Sequence, residues 1–375
     1  MKGRMKTAGT HSSKWSTVAV ILSIVAAGTA VAGLLEDPAT DIAGCEEVVQ
    51  PEEAQRINFA FVGEESYDNP DHPWFTETKA TAMSDALAQS LPAGTDVAFD
   101  APARALYFGP IGSQEGNPAG GITTARGTIA VGGKTGPLTV SVQKSDEPPG
   151  PCFEGYIDER RTLDDGTVVD LRKGAVRAYT PEGTSIDASA DNTLTIEQLL
   201  DLVTAPGLRV STPVPAATAG ALGICTIDSV SSTAPPIDEK TTRRLNDVLD
   251  AIPLSGLQFD RRLGSLLPEE WMTGGVCETL HAVGGAMELT VEVIGGQPFP
   301  PAVGGVTPRI PPDGLVVERS TKSSTGQGND MTPRTDIVTV TKASGTRIVV
   351  RSSGAEPLPF DVLETIATAD GLDVT

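Results

Sequence analysis

The sequence predicts an α+β protein: an N-terminal transmembrane helix, then two tandem homologous domains, each a helix, an antiparallel meander of four or five strands and a closing helix. Three observations carry this expectation. Residues 15–35 hold no charge. Blocks of residues recur in the same order about 150 to 165 positions apart. Runs rich in Val, Ile and Thr alternate with Gly-containing turns between amphipathic helical stretches.

The apolar run comes first. Val18-Ala19-Val20-Ile21-Leu22-Ser23-Ile24-Val25-Ala26-Ala27 lies in a segment bracketed by Lys14 and Glu36, and at about 1.5 Å per residue roughly 20 residues cross a bilayer's hydrocarbon core. Lys2, Arg4, Lys6 and Lys14 all precede it. Residues 1–14 are therefore expected as a cytoplasmic basic tail, 15–35 as a signal-anchor helix, and the rest outside the membrane. Two other fates compete. Ala30-Val31-Ala32 before Gly33 fits a signal-peptidase site, and cleavage after Ala32 would secrete the body. Ile42-Ala43-Gly44-Cys45 resembles the end of a lipobox, but Glu36, Asp37, Pro38 and Asp41 separate it from the apolar run.

The composition bounds the body. With 39% apolar and 21% charged residues the chain is globular, and 40 Gly and 29 Pro predict many turns. Beyond residue 35 it carries 24 basic against 49 acidic residues. Such a field repels phosphate backbones and anionic lipid headgroups, which excludes nucleic acid as a partner.

Residues 36–73 form a polar lead-in, 74–210 the first repeat, 211–237 a Pro-, Ala-, Ser- and Thr-rich linker, and 238–375 the second repeat. Each repeat opens with a helix. Met83, Ala86, Leu87 and Leu91 precede Pro92; Leu245, Val248, Leu249 and Ile252 precede Pro253 in an i, i+3, i+4, i+7 stripe. Each stripe is followed by a Phe-Asp pair, Phe99-Asp100 and Phe259-Asp260.

The strand blocks then repeat. Val131-Gly132-Gly133 with residues 138–142 matches Val283-Gly284-Gly285 with 289–293. Asp165-Gly166-Thr167-Val168-Val169 matches Asp313-Gly314-Leu315-Val316-Val317, and residues 176–186 match 338–348. Pro181-Glu182-Gly183 and Ala343-Ser344-Gly345 read as hairpin loops, and such short spacings make neighbours antiparallel. The first closing helix starts at Thr195-Ile196-Glu197-Gln198, a capping-box spacing, and ends by Gly207. Its counterpart covers 362–366 before Gly371. Residues 320–334 are an insertion of the second copy, expected as an exposed hairpin tip.

The Asp-Gly-x-Val-Val block, the Gly-Thr hairpin and a last helix ending near Pro206-Gly207-Leu208 together resemble modules of exported, membrane-anchored, uncharacterised proteins of high-GC Gram-positive bacteria. The resemblance covers residues 160–210 and 310–375 and implies no functional residues. At fold level the strand-rich sheet with terminal helices also looks like lipoprotein-carrier and envelope-stress sensor domains, an analogy that assigns no activity.

Export makes the even number of cysteines informative, because disulfides persist outside the cytoplasm. Cys45, Cys152, Cys225 and Cys277 allow three pairings, of which Cys45 with Cys152 and Cys225 with Cys277 is preferred as one bridge per half. Their spacing contains nothing zinc-like. Gly132-Gly133-Lys134-Thr135 imitates the end of a P-loop, but the first Gly of that motif would fall at Thr128, so a hairpin turn is expected. His72 lies in a turn and His281 in a strand, with no Gly-x-Ser-x-Gly elsewhere. Trp74 and Trp271 are the main aromatic candidates beside paired carboxylates. Asp158-Glu159, Asp164-Asp165, Asp187 and Asp191 lack the EF-hand order and read as solvated turns.

These features predict no catalytic, cofactor or metal residues. The expected function is a single-pass extracytoplasmic binding or interaction module at the cell envelope, with a protein partner or an apolar ligand. The alternative is an envelope sensor domain or a lipid carrier holding an acyl chain in a cavity lined by Val168, Val176, Val338, Val340 and Ile348. A hydrolase is the remote alternative and would need His72 or His281 within reach of a carboxylate and a Ser or Thr.

Overall fold

A computed structural model describes residues 41–49, 65–112, 121–145, 149–222, 225, 234–254, 256–269, 274–285, 287–298, 315–323 and 334–375. In chain order the elements are β1 (Val48–Val49), β2 (Glu65–Ser66), α1 (Glu77–Ser90), β3 (Asp96–Val97), β4 (Ala105–Phe108), β5 (Ile111–Gly112), β6 (Ile122–Val131), β7 (Lys134–Lys144) and β8 (Cys152–Phe153). Next come β9 (Glu159–Thr162), β10 (Val168–Arg172), β11 (Ala175–Tyr179), β12 (Thr184–Ser189) and α2 (Ile196–Val203). The chain continues through α3 (Glu239–Asp250), β13 (Leu267–Pro268), β14 (Gly275–His281), β15 (Glu288–Ile294), β16 (Val316–Ser323), β17 (Arg334–Thr341), β18 (Arg347–Gly354) and α4 (Phe360–Ala367).

Two compact units share the chain: Met1–Arg56 with Gly150–Arg160, and Ile57–Pro149 with Arg161–Thr375. In the smaller, β1 and β8 pair in parallel, Val48 opposite Cys152, and the Cys45–Cys152 disulfide closes the same stretch. One eight-stranded sheet has the order β3-β6-β7-β12-β11-β10-β9, with β4 also on β6. A six-stranded sheet has the order β13-β14-β15-β18-β17-β16.

That strand order corrects the expected plan of helix, four- to five-stranded meander and helix in 74–210 and 238–375. A meander pairs each strand with its sequence neighbours, whereas β7 pairs with β12 and β15 with β18. The short loops do make hairpins, β6–β7, β11–β12 and β17–β18. Long connections leave the next strand free to join whichever edge completes the apolar face, and loop length carries no information about that choice. Helix is the minor component: α1 to α4 have 14, 8, 12 and 8 residues. Among the described residues no helix is long and apolar enough to cross a membrane, and residues 15–35, where the sequence places the anchor, lie outside them.

Alternation along the strands builds one core under each sheet. Val140, Val142, Val176, Ala178, Ile186 and Ala188 face the first; Val291, Val293, Val338, Val340, Ile348 and Val350 face the second. The capping box at Thr195 is complete, with Thr195 Oγ1 accepting from Gln198 N and Gln198 Oε1 from Thr195 N. It sets α2 with Leu199, Leu202 and Val203 inward over β11 and β12. Leu363, Ile366 and Ala367 of α4 cover β17 and β18 in the same manner. At about 1.5–3 kcal/mol per buried aliphatic side chain, these stripes hold helices too short to persist alone. The Gly132-Gly133 pair, with φ of +56° and +78°, forms the two-residue turn joining β6 to β7. The Gly-Lys-Thr triplet is thus hairpin chemistry.

The second disulfide joins Cys225 to Cys277 across 52 positions. Both bridges put the chain in an oxidising, extracytoplasmic environment. Replacing Cys225 and Cys277 together by Ser is expected to cost about 4 kcal/mol in loop-closure entropy, read as a lower urea midpoint than the oxidised parent.

Candidate binding cleft and its polar clasp

In the larger unit α1 and β4 border a cleft of about 340 Å³, within the usual range of small ligand sites. Its position follows from a bulge. Between the register pairs Ala105↔Gly127 and Phe108↔Ala125 the β4–β6 ladder shifts, and Leu106 adopts φ +61°. That left-handed conformation costs a non-glycine residue about 1–2 kcal/mol. Burial of the Leu106 side chain over Gly127 offsets it: a Cβ on Gly127 would lie 2.8 Å from Leu106 Cγ and 2.9 Å from the Arg104 carbonyl.

The bulge places Tyr107 between the cleft and a neighbouring hollow of about 260 Å³. Buried Ser84 of α1 fixes the floor, its hydroxyl donating to the Ala80 carbonyl at 2.8 Å and accepting from Phe108 N at 3.0 Å. Tyr67 donates to the Phe108 carbonyl at 3.2 Å, and burial pushes its hydroxyl up to about 12. Ile122 on β6 is 46% exposed at the mouth, beside the polar Thr81, Thr124 and Arg126.

Ala221 and Leu222 form part of the wall, and a polar cluster holds them in place. Arg261, its side chain 7% exposed, donates to the carbonyls of Gly220, at 2.7 Å, and of Ala221. Thr81 Oγ1 donates to the same Gly220 carbonyl at 2.9 Å. Asp260 accepts from Arg261 at 2.9 Å and from His281 N at 2.9 Å, while His281 Nδ1 stands 3.6 Å from its other oxygen. Burial opposes the Asp260 charge, but His281 and Arg261 outweigh it and hold the carboxyl well below its ordinary range. In turn Asp260 raises His281, against partial burial and with help from Glu77 and Glu288. Glu77, in the first turn of α1, is pushed up by burial and by Asp68 and Asp260, against the pull of His281 and Arg261.

The sequence-predicted residues fall in several places. Cys45, Cys152, Cys225 and Cys277 are all in bridges. His72 packs against Gly121, whose Cβ would lie 2.5 Å from His72 Nδ1. His281 ends β14, half exposed, facing Asp260 and, at 4.0 Å, Glu288. The Trp74 ring lies tilted at 56° to Phe75 with centroids 5.2 Å apart, and Trp271 lies outside the described residues. Asp187 is tied to Arg172 and Arg177 at 2.6 and 2.7 Å. Among the described residues no three His, Cys, Asp or Glu side chains are grouped to hold a metal.

Of the proposed carrier lining, Val176, Val338, Val340 and Ile348 are fully buried in the two cores, whereas Val168 is only half-buried and alternates to the other face from Val169. Sequence reasoning missed Ser84, Tyr107, Ile122, Arg261 and the anchored stretch 220–222. The repeated Phe-Asp pair was the one available signal, and it marked Asp260.

No family model and no curated protein matches the chain. Two solved structures are similar to it over part of its length: "The complex structure of Pseudomonas aeruginosa MucA/MucB." at 11% identity, 65% of this chain, 62% of that one and TM-score 0.18, and "Crystal structure of MucB in complex with MucA(peri)" at 10% identity, 65%, 64% and 0.17. The match spans less than two thirds of those chains. Scores of this size carry no inference about fold or function, and none is drawn.

Two outcomes follow from this geometry. Gly127→Ala is expected to lose about 1–3 kcal/mol, because the new methyl must expel Leu106 from a packed site; urea denaturation reads it. The His281–Asp260 contribution is present above the ordinary carboxyl value of 3.8 and below the ordinary imidazole value of 6.5, and fades as pH rises through the raised pKa of His281. Burial pushes Glu278 up to about 7, so the difference between parent and His281→Gln is the quantity to follow. That difference should be largest near pH 5 and shrink toward pH 8, as read from urea midpoints.

Proposed function

We propose that this extracytoplasmic chain is a non-catalytic binding module whose cleft beside α1 and β4 takes an extended segment of a partner protein. The observation carrying the reading is the cleft itself: exposed Ile122 and half-buried Tyr107 offer an apolar seat, with Thr81, Thr124, Glu65 and Arg126 at hand for a peptide's polar groups. The filled space between each sheet and its helices supports it too, since Val176, Val338, Val340 and Ile348 leave an acyl chain no room there. An anchor at 15–35 would hold the module at the membrane surface, and the resemblance to exported, membrane-anchored proteins agrees with that placement.

Peptides selected from a displayed library against the full chain test the reading. Ile122→Arg should weaken the selected peptides by at least about tenfold, roughly 1.4 kcal/mol, without moving the unfolding midpoint. Peptides that bind Ile122→Arg as tightly as the parent place the contact elsewhere and sink the proposal. Displacement of the peptides by a long-chain fatty acid would favour an apolar small ligand for the same cleft.

A further inference from the structure

The two large sheets have five edge strands among the described residues, and four are short: β3 and β13 have two residues each, β4 and β9 four each. Short edges are a common protection against edge-to-edge pairing. The fifth, β16, runs for eight residues and among the described residues pairs with β17 alone. Positions 318 to 322 are all exposed.

Its two faces carry different side chains. Arg319 and Thr321 turn toward the strand's own core side, where Arg319 pairs with Glu364, lies 3.5 Å from Asp361 and covers the Phe360 ring, and Thr321 donates to Asp336 at 2.6 Å. These contacts hold the strand in its sheet. Glu318, Ser320 and Lys322 alternate to the opposite face. Around Ser320 the charge pattern reads the same in antiparallel reversal, with acid and base exchanged: Glu318 on one side, Lys322 on the other.

We propose that β16 is the edge at which a second copy of this chain pairs, antiparallel, about a two-fold axis through Ser320. In that register Glu318 of each copy lies opposite Lys322 of the other, and Ser320 lies opposite itself. The interface is isologous and closes at two copies, extending one six-stranded sheet into its twin. Parallel pairing in register would set Glu318 against Glu318, and a slip by one residue would turn the charged row to the other face.

Sedimentation velocity and cysteine cross-linking of the full chain test this. The four native cysteines are paired, so Ser320→Cys supplies one free thiol. Facing residues in an antiparallel pair stand about 4.5–5.5 Å apart at Cβ, and small relaxation brings two thiols within bridging distance. The expected results are a dimer, an intermolecular disulfide from Ser320→Cys and none from Glu318→Cys. Glu318→Lys should raise the dimer dissociation constant about tenfold or more by opposing like charges, and Glu318→Lys with Lys322→Glu should restore it. A monomer that forms no Ser320→Cys bridge overturns the proposal. So does a dimer that Glu318→Lys leaves intact, or one that the double exchange fails to restore.

Discussion

One kind of antiparallel ladder supports each sheet of the larger unit: β7 against β12 in the first, β15 against β18 in the second. Val140 lies opposite Ala188 and Val142 opposite Ile186; Val291 lies opposite Val350 and Val293 opposite Ile348. All eight side chains are fully buried. These ladders join segments far apart in the chain, so their loop-closure cost is met only when the apolar face they create is covered. α2 and α4 supply that cover. A slip of one residue would turn both faces to solvent, and burial therefore specifies the register more strongly than any local propensity.

Dense packing under the sheets moves the open space elsewhere. The cleft lies where β4 bulges away from β6 under the demand of Leu106 over Gly127 and where Ser84 ties that bulge to α1. Its wall at 220–222 is held by Arg261, whose charge is balanced by Asp260. A strained backbone residue and a mostly buried ion pair at one place are costs that neighbouring packing must offset.

How legible this was depends on the range of each interaction. The capping box at Thr195, the stripe Leu245–Leu249, the hairpin glycines and the strand alternation are local, and their signals lie within a few residues of their effects. Leu106 in a left-handed conformation, Ser84 beneath Phe108 and Arg261 on the Gly220 carbonyl are partnerships across tens of positions. Nothing about a single Leu, Ser or Arg in the sequence announces them. The expected meander fails for the same reason: hairpins are set by their turns, whereas the partner of β7 is set by which strand completes a buried face.

By itself the sequence determined the strand and helix segments that local periodicity and turn chemistry encode, the acidity of the body and the residues able to face a core. Tertiary structure alone decided the strand order, the placement of the cleft and the clasp that shapes its wall. The physical reason is that periodicity specifies which side of a segment avoids water, while the choice of what covers that side belongs to the whole chain.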